Sequence, residues 1–211
     1  MPLEKIEVDS ERAWALWRVT EDEDAFRSEI DPYEEISETL TNSQKRLEWL
    51  AGRMTIKTLL ESLKKPFHGI IKDKHGKPFL KSYDYHLSLS HSFPYVAALI
   101  DFRHPAGIDL EQPKPKLLRV AARIHHQQEL EDLGTDIVKH CIYWCAKESL
   151  VKLHGKKDLI FSENMFIEPF ELRQAGDITG KMIFGQNELV VPLYYITYSD
   201  FVVVFTKMTN R

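Results

Sequence analysis

Tyr143-Trp144-Cys145-Ala146-Lys147-Glu148-Ser149-Leu150-Val151-Lys152 falls late in the longest helix predicted for the C-terminal half, and the other segments can be ordered around it. Hydrophobic periodicity runs that helix from a cap at Thr135 to Gly155, with Val138, Cys141, Ile142 and Cys145 at the i, i+3, i+4, i+7 spacing of a buried face. Glu148 and Lys152 are four positions apart, so a carboxylate and an ammonium leave the same side of the helix one turn from each other and can serve one site. The same spacing describes an ordinary surface ion pair, worth roughly 0.2–0.5 kcal/mol. Taken alone, the stretch favours the ion pair.

Working outward, 211 residues with 43% hydrophobic and 28% charged side chains describe a soluble globular chain between one large domain and two small ones. No apolar run is long enough to span a bilayer, and the acidic start (Glu4, Glu7, Asp9) does not read as a signal peptide, so a cytoplasmic location is the expectation. Cys141 and Cys145 read as buried thiols, because His125, His126 and His140 do not complete a zinc spacing with them. A net charge of −4 carries no nucleic-acid signature, which leaves any polyanion site to local clusters.

Those clusters begin upstream. After a strand over residues 13–19, an acidic segment from Glu21 to Glu29 and a turn at Asp31-Pro32, Ser43 is placed as the cap of a helix that continues to about Leu63 before Pro66 stops it. Leu47, Leu50, Ala51, Met54 and Thr58 form its inward face. Arg46, Arg53 and Lys57 align on another stripe beside Trp49, and such a row can hold a phosphate or be simply a solvated basic face. Short strands at Ile70-Ile71 and Phe79-Leu80 flank a turn at His75-Gly76-Lys77-Pro78, where the glycine permits positive φ and the proline fixes the exit of Lys77. His86 to His91 alternates as a half-buried strand, with Leu87 and Leu89 on one face, and ends in Ser90-His91-Ser92, whose hydroxyls and imidazole can meet an anion. Neighbouring strand residues face opposite ways and no Gly-x-Ser-x-Gly elbow occurs, so Ser90 and His91 are not a hydrolase dyad. Tyr95 to Ile100 is the expected hairpin partner, and the polar turn from Asp101 to Pro105 divides the chain into halves 1–104 and 105–211.

Next comes Gly107-Ile108-Asp109-Leu110-Glu111. Alternation puts Asp109 and Glu111 on one face of a short strand, where two carboxylates gain most from a bound cation; an exposed acidic strand end has the same pattern. Lys114 to His126 is amphipathic, with Leu117, Val120, Ala121 and Ile124 opposite Lys116, Arg119 and Arg123. Beyond Gly155 a meander is expected, with strands around Phe161, Phe166, Phe170, 182–184, 189–191 and 201–205 and turns at 174–177 and 186–187.

The ordered set of Arg46-Leu47-Glu48-Trp49-Leu50-Ala51-Gly52-Arg53, Gly76-Lys77-Pro78, Ser90-His91-Ser92, Gly107 to Glu111 and Trp144 to Lys152 resembles the Sfp-like 4′-phosphopantetheinyl transferases. The resemblance implies an α+β fold of two similar halves related by a pseudo-twofold, with coenzyme A in an active-site cleft between them. It further implies Mg²⁺-dependent transfer of phosphopantetheine from coenzyme A to a serine of an apo acyl or peptidyl carrier protein by a monomer, with release of adenosine 3′,5′-bisphosphate. By the same likeness Asp109, Glu111 and Glu148 would hold Mg²⁺. Glu148 would also be the base, directly or through a metal-bound water, and Lys152 would neutralise the leaving group with help from Lys147. Arg46, Arg53, Ser90 and His91 would contact phosphates, His91 and the arginines the 3′-phosphate, while Lys77 would lie near the nucleotide. The face of Lys116, Arg119 and Arg123 becomes a candidate dock for an acidic carrier helix. Two other readings stay open at this point: a coenzyme A-binding protein without catalysis, and an unrelated Mg²⁺-dependent phosphohydrolase.

Overall fold

In the computed structural model, which describes residues 3–156 and 158–209, the chain divides into two units, Met1–His104 and Pro105–Arg211. Each combines an antiparallel sheet with helices, so the architecture is α+β.

The first unit contains β1 (Leu3–Val8), β2 (Arg12–Arg18), α1 (Glu23–Ile30), α2 (Ser43–Ser62), β3 (Ile70–Lys72), β4 (Pro78–Leu80), β5 (His86–Ser92) and β6 (Tyr95–Asp101). Its strands lie in the order β1-β2-β6-β5-β4-β3. Register follows the apolar runs: β2 pairs with β6 from Arg12↔Asp101 to Arg18↔Tyr95, and β5 with β6 from His86↔Asp101 to Ser92↔Tyr95. α2 crosses β2, β5 and β6, and its Leu50, Ala51, Ile56, Leu59 and Leu60 form one core with Leu87, Val96, Ala98 and Ile100. Gly52 lets the helix approach closely, since a Cβ there would stand 2.8 Å from Leu89 Cδ2. The helix is capped by the Asn42 side chain, which accepts from Lys45 N, one residue before the Ser43 that the sequence pattern favours. The acidic segment, to which the sequence pattern assigns no element, folds as a helix: Asp22 caps α1, and Phe26 and Ile30 anchor it in the core.

The second unit contains β7 (Ile108–Glu111), α3 (Lys116–Ile124), α4 (Gln127–Leu133), α5 (Ile137–His154), α6 (Phe161–Asn164), β8 (Met165–Ile167), β9 (Ala175–Phe184), β10 (Asn187–Thr197) and β11 (Val202–Thr206). Strand order is β7-β11-β10-β9-β8. α5 packs along β7 and β11 and is buried around most of its circumference, from Cys141, Ile142 and Cys145 to Leu150 and Leu153. Asp136, not Thr135, caps it by accepting from Val138 N and Lys139 N, and Gly155 ends it at φ +80°. Three parts of the expected meander differ. Phe161 opens a short helix, Phe170 lies outside any strand, and residues 175–177 already belong to β9. α4 escaped the periodicity because it is only seven residues long and polar over most of its length. Among the described residues no helix is long and apolar enough to cross a membrane.

Candidate active site

One glycine sets how α5 meets β7. A Cβ on Gly107 would lie 1.9 Å from the Ser149 carbonyl oxygen, so no larger residue fits without moving the helix backbone. The contact is secured on both sides: Gly107 N donates to Thr206 Oγ1 at 3.0 Å, and Ser149 Oγ donates to Val204 O at 2.9 Å. β7 pairs with β11 in the register Asp109↔Val204 and Glu111↔Val202. Asp109 is thereby carried, 6% exposed, against a helical row formed by Cys145, Glu148 and Lys152.

Within that row Lys152 Nζ donates to Asp109 Oδ1 at 2.7 Å and to Ile108 O at 2.8 Å. Glu148 is in a less balanced position. Burial and the negative charge of Asp109 raise its carboxyl, Lys152 opposes them, and the net effect pushes its pKa up to about 7. Cys145, completely buried and close to Cys141 and Asp109, has its thiol raised well above the ordinary range and stays neutral. Its Cys141 neighbour reaches Glu111 O at 3.4 Å, so the stripe of α5 follows β7 from end to end.

The structure therefore brings Asp109, Glu148 and Lys152 together. Glu111 is directed differently: Oε2 accepts from Lys116 Nζ at 3.0 Å and Oε1 from Gln112 N at 2.9 Å. Among the described residues no group of three or more His, Cys, Asp or Glu side chains is arranged to hold a metal ion, so Asp109, Glu111 and Glu148 do not form a ready-made three-carboxylate site.

Lys147 corrects the sequence expectation. Its ammonium is 0% exposed and donates to Glu129 Oε2 at 2.6 Å, Ile124 O at 2.9 Å and Phe161 O at 3.0 Å, which uses all three of its N–H bonds. Burial pulls its pKa down and Glu129 partly restores it. Burial pushes Glu129 the other way, but His125, Lys147 and the Ile167 N–H more than offset this and hold its carboxyl below the usual range. About 100° of helix rotation separates Lys147 from Glu148, and that angle turns one side chain into the core and the other toward Asp109. Lys147 is a structural strut joining α3, α4, α5 and α6.

In the first unit the basic stripe of α2 is already occupied. Arg46 Nε donates to Glu23 Oε2 at 2.8 Å, with a second, shorter bond from Nη2 to Oε1. Arg53 Nε donates to Glu34 Oε2 at 3.0 Å while its guanidinium stacks 3.5 Å from the Trp49 ring centroid, and Lys57 pairs with Glu29. Burial lowers the pKa of Arg53 and the Glu34 carboxylate acts to restore it. Both sequence readings of this stripe, open phosphate seat and solvated face, gave it no internal partner; the helical acidic segment supplies two, Glu23 and Glu29, and the loop after it supplies Glu34. Lys77 stands in the expected corner, with Gly76 at φ +88° and Asp73 Oδ1 accepting from His75 N and Lys77 N. Burial lowers its pKa, opposed by Asp73. Ser90 is buried, and His91 Nδ1 lies 3.1 Å from Oε2 of Glu48. Glu48 was passed over in the sequence because it looks like one more surface acid on a helix. Its signal was position: it sits one turn before Gly52, the residue that packs α2 against β5.

Residues 105–195 match the 4′-phosphopantetheinyl transferase superfamily. Over 147 residues the chain is 29% identical to the 4′-phosphopantetheinyl transferase gsp of Aneurinibacillus migulanus, covering 66% of this chain and 58% of that protein. Over 133 residues it is 31% identical to the 4′-phosphopantetheinyl transferase Sfp of Bacillus subtilis (strain 168), covering 59% and 55% respectively. The matched region thus spans less than two thirds of these relatives' length. The matched segment contains the whole of the Asp109, Glu148 and Lys152 constellation, so the likeness of this chain to the 4′-phosphopantetheinyl transferase superfamily, and to its Sfp-type members, includes the site itself.

Proposed function

We propose that the protein transfers the 4′-phosphopantetheine group of coenzyme A to a serine hydroxyl of an apo acyl or peptidyl carrier protein, releasing adenosine 3′,5′-bisphosphate. The observation that carries this reading is the carboxyl of Glu148, raised to about 7 beside the Asp109–Lys152 pair. A group with that pKa accepts a proton readily near neutral pH, as a general base must. The serine oxygen forms a bond to the phosphorus that carries pantetheine, and the bond from that phosphorus to the bridging oxygen of the nucleotide breaks. Glu148 takes the serine proton. Lys152, one turn further along α5, neutralises the departing phosphate, exchanging part of its hold on Asp109 for the new anion.

The donors suit Mg²⁺. Asp109 and Glu148 present two carboxylates with one ammonium between them, and a hard dication held by one or two carboxylates plus substrate phosphates is the common arrangement. Glu111 joins them by leaving Lys116. When bound, Mg²⁺ supplies positive charge for the pyrophosphate oxygens as the reaction proceeds. In the first unit His91 and Ser90 contact phosphate oxygens and Lys77 lies by the nucleotide; Arg46 and Arg53 join only by releasing Glu23 and Glu34. On α3, Arg119 and Arg123 are exposed beside Lys116 and offer a cationic face to an acidic carrier helix. Charge reversal at Arg119 and Arg123 raises the carrier KM if this face is the dock, and an unchanged KM removes it.

The test is to incubate the protein with coenzyme A, Mg²⁺ and apo acyl and peptidyl carriers and to weigh each carrier intact. Gain of one phosphopantetheine is expected. Coenzyme A binding with no mass gain on any carrier would overturn the reading in favour of a silent binding protein.

A further inference from the structure

One buried corner of the second unit holds polar atoms that its packing leaves unmatched. His125 closes α3 and His140 stands near the start of α5, each 3% exposed. Their rings meet edge to face with 5.9 Å between centroids, and the His125 ring is also edge-on to Tyr143 at 5.7 Å. His140 Nε2 donates to Gly134 O at 3.1 Å, which leaves the lone pair on Nδ1, and among the described residues that nitrogen has no hydrogen-bond partner. Neither ring nitrogen of His125 has one. Glu129 Oε2 lies 3.7 Å from His125 Nδ1, beyond hydrogen-bond reach, and already accepts from Lys147 Nζ and His126 N at 2.6 Å each. An apolar ring would fill this space without the mismatch, so what an imidazole adds is the capacity to gain a proton.

The helix that follows His125 is lightly held. Leu133 of α4 is buried and Leu130 partly so, and the remaining ties to α5 are polar: Lys147 to Glu129, Tyr143 Oη to Asp132 Oδ2 at 2.6 Å, and Lys139 Nζ to Asp132 Oδ1 at 2.8 Å. Such a segment can open without unfolding the sheet beneath it. We propose that His125 is an acid-sensitive latch for α4: neutral, it lets the α3–α4 corner close on α5, and a proton on its ring opens that corner reversibly. The surrounding charges set the direction. From α4 the Glu129 carboxylate faces His125, and from α5 come the Lys147 ammonium, His140 and Tyr143; on α3 itself Arg119 and Arg123 are exposed. Glu129 is already matched by Lys147, so a second cation leaves excess charge in the closed corner. Burial lowers the His125 pKa most, Glu129 acts to raise it, Lys147 and His140 act to lower it, and the net value is below the ordinary one. Opened to water, the ring returns to about 6.5. The latch is therefore at full strength above about pH 6.5 and weakens as pH falls from there through the lowered value.

The experiment follows hydrogen exchange at the α4 amides, as protection factors, together with ¹⁵N resonances of the imidazoles, in the full chain from about pH 8 to about pH 5. Below about pH 6.5 the opening constant of α4 should rise by up to about 10-fold per pH unit, the most that one proton can supply, while β9 and β10 change less. In His125→Phe, which keeps an aromatic ring and cannot titrate, that rise should disappear. A second variant separates the neighbouring histidine: His126 is exposed and its Nδ1 accepts from Gln128 N at 3.4 Å, and His126→Ser supplies a cap acceptor that does not titrate. There the response should survive. An α4 response unchanged in His125→Phe, or lost in His126→Ser, would overturn the proposal. So would a wild-type His125 ring that titrates at or above about 6.5, a readout that stands even if His125→Phe folds poorly.

Discussion

The two long helices carry charged rows of similar appearance, and their partners give them opposite characters. On α2, Arg46, Arg53 and Lys57 each meet a carboxylate of their own, from Glu23, Glu34 and Glu29. At α5, Asp109 of β7 and Glu148 both interact with the ammonium of Lys152, and Glu148 also meets the negative charge of Asp109. Matched charges favour the charged forms, with the Glu23 and Glu29 carboxyls held below the usual range and the Arg46 and Lys57 cations above theirs, and contribute mainly to holding α1 and the following loop on the helix. Unmatched charges shift a pKa and leave a carboxylate whose anion is favoured by whatever cation arrives. Spacing along a helix shows which side chains are neighbours, and the opposing charges across the interface set how each of them ionises.

The largest expected break in this comparison is Glu148→Gln. It removes the proposed proton acceptor while keeping shape, so transfer should fall by about 10²–10⁴-fold, the usual worth of a general base, with coenzyme A affinity largely kept. Single-turnover measurements give the first quantity and calorimetry the second. A variant that still transfers within a few-fold of wild type would show that the unmatched carboxylate is not the base.

Next in size is Lys147, the neighbour whose charge is fully matched. Lys147→Met leaves Glu129 buried at 0% exposure without its ammonium, and breaking such a pair costs about 3–5 kcal/mol. Urea unfolding should report the loss. The same measurement on Lys152→Met should show a smaller change in stability, because Lys152 is 26% exposed, together with a much larger change in transfer.

A pH series sharpens the contrast. Below about pH 4.5 the Glu148 carboxyl is protonated in folded and unfolded chains alike; between there and about 7 the folded chain keeps a proton that the unfolded chain has released. Stability from this group is therefore fully present at low pH and is lost as pH rises through about 7. Glu148→Gln cannot ionise, so relative to wild type it should be more stable at pH 8 than at pH 4. Added Mg²⁺ should narrow the difference at pH 8 by favouring the wild-type anion, a shift visible in melting temperature.

Much of the second unit's site was legible because its determinants are local. Gly107 to Glu111 announces a strand with two acids on one face, and Glu148 with Lys152 announces a helical pair. The same locality explains Lys147: adjacent to Glu148 in sequence, it is sent elsewhere by the helical rotation and finds a carboxylate 18 residues away. In the first unit the decisive partners lie in a stretch with no motif to mark them. Arg46 meets Glu23 across 23 residues, through a helix that the acidic segment did not advertise, and Arg53 meets Glu34, in the loop after that helix, across 19. The cap of α5 shows the smaller scale of the same effect, since Thr135 and Asp136 are both capping residues and only the backbone entering the helix selects Asp136.

Lys57 supplies the smallest expected effect and the cleanest control on the matched side. Its partner Glu29 is half exposed, at 51% of its side-chain area, and such pairs contribute less than about 1 kcal/mol. Lys57→Ala should change the urea midpoint only slightly, and less in high salt, where the charge interaction is screened within about 3 Å at 1 M. Arg53→Ala should lose several times more, because it abandons Glu34 at 8% side-chain exposure and uncovers the Trp49 ring. Equal losses from the two would mean that α2 is held by its apolar core alone and that the acidic segment merely lies upon it. A larger loss at Arg53, insensitive to salt, would show the pairing at Glu34 to be part of what fixes α1 and its loop against the helix, since Glu34 also accepts from Ile70 N at 2.6 Å and so ties that loop to β3.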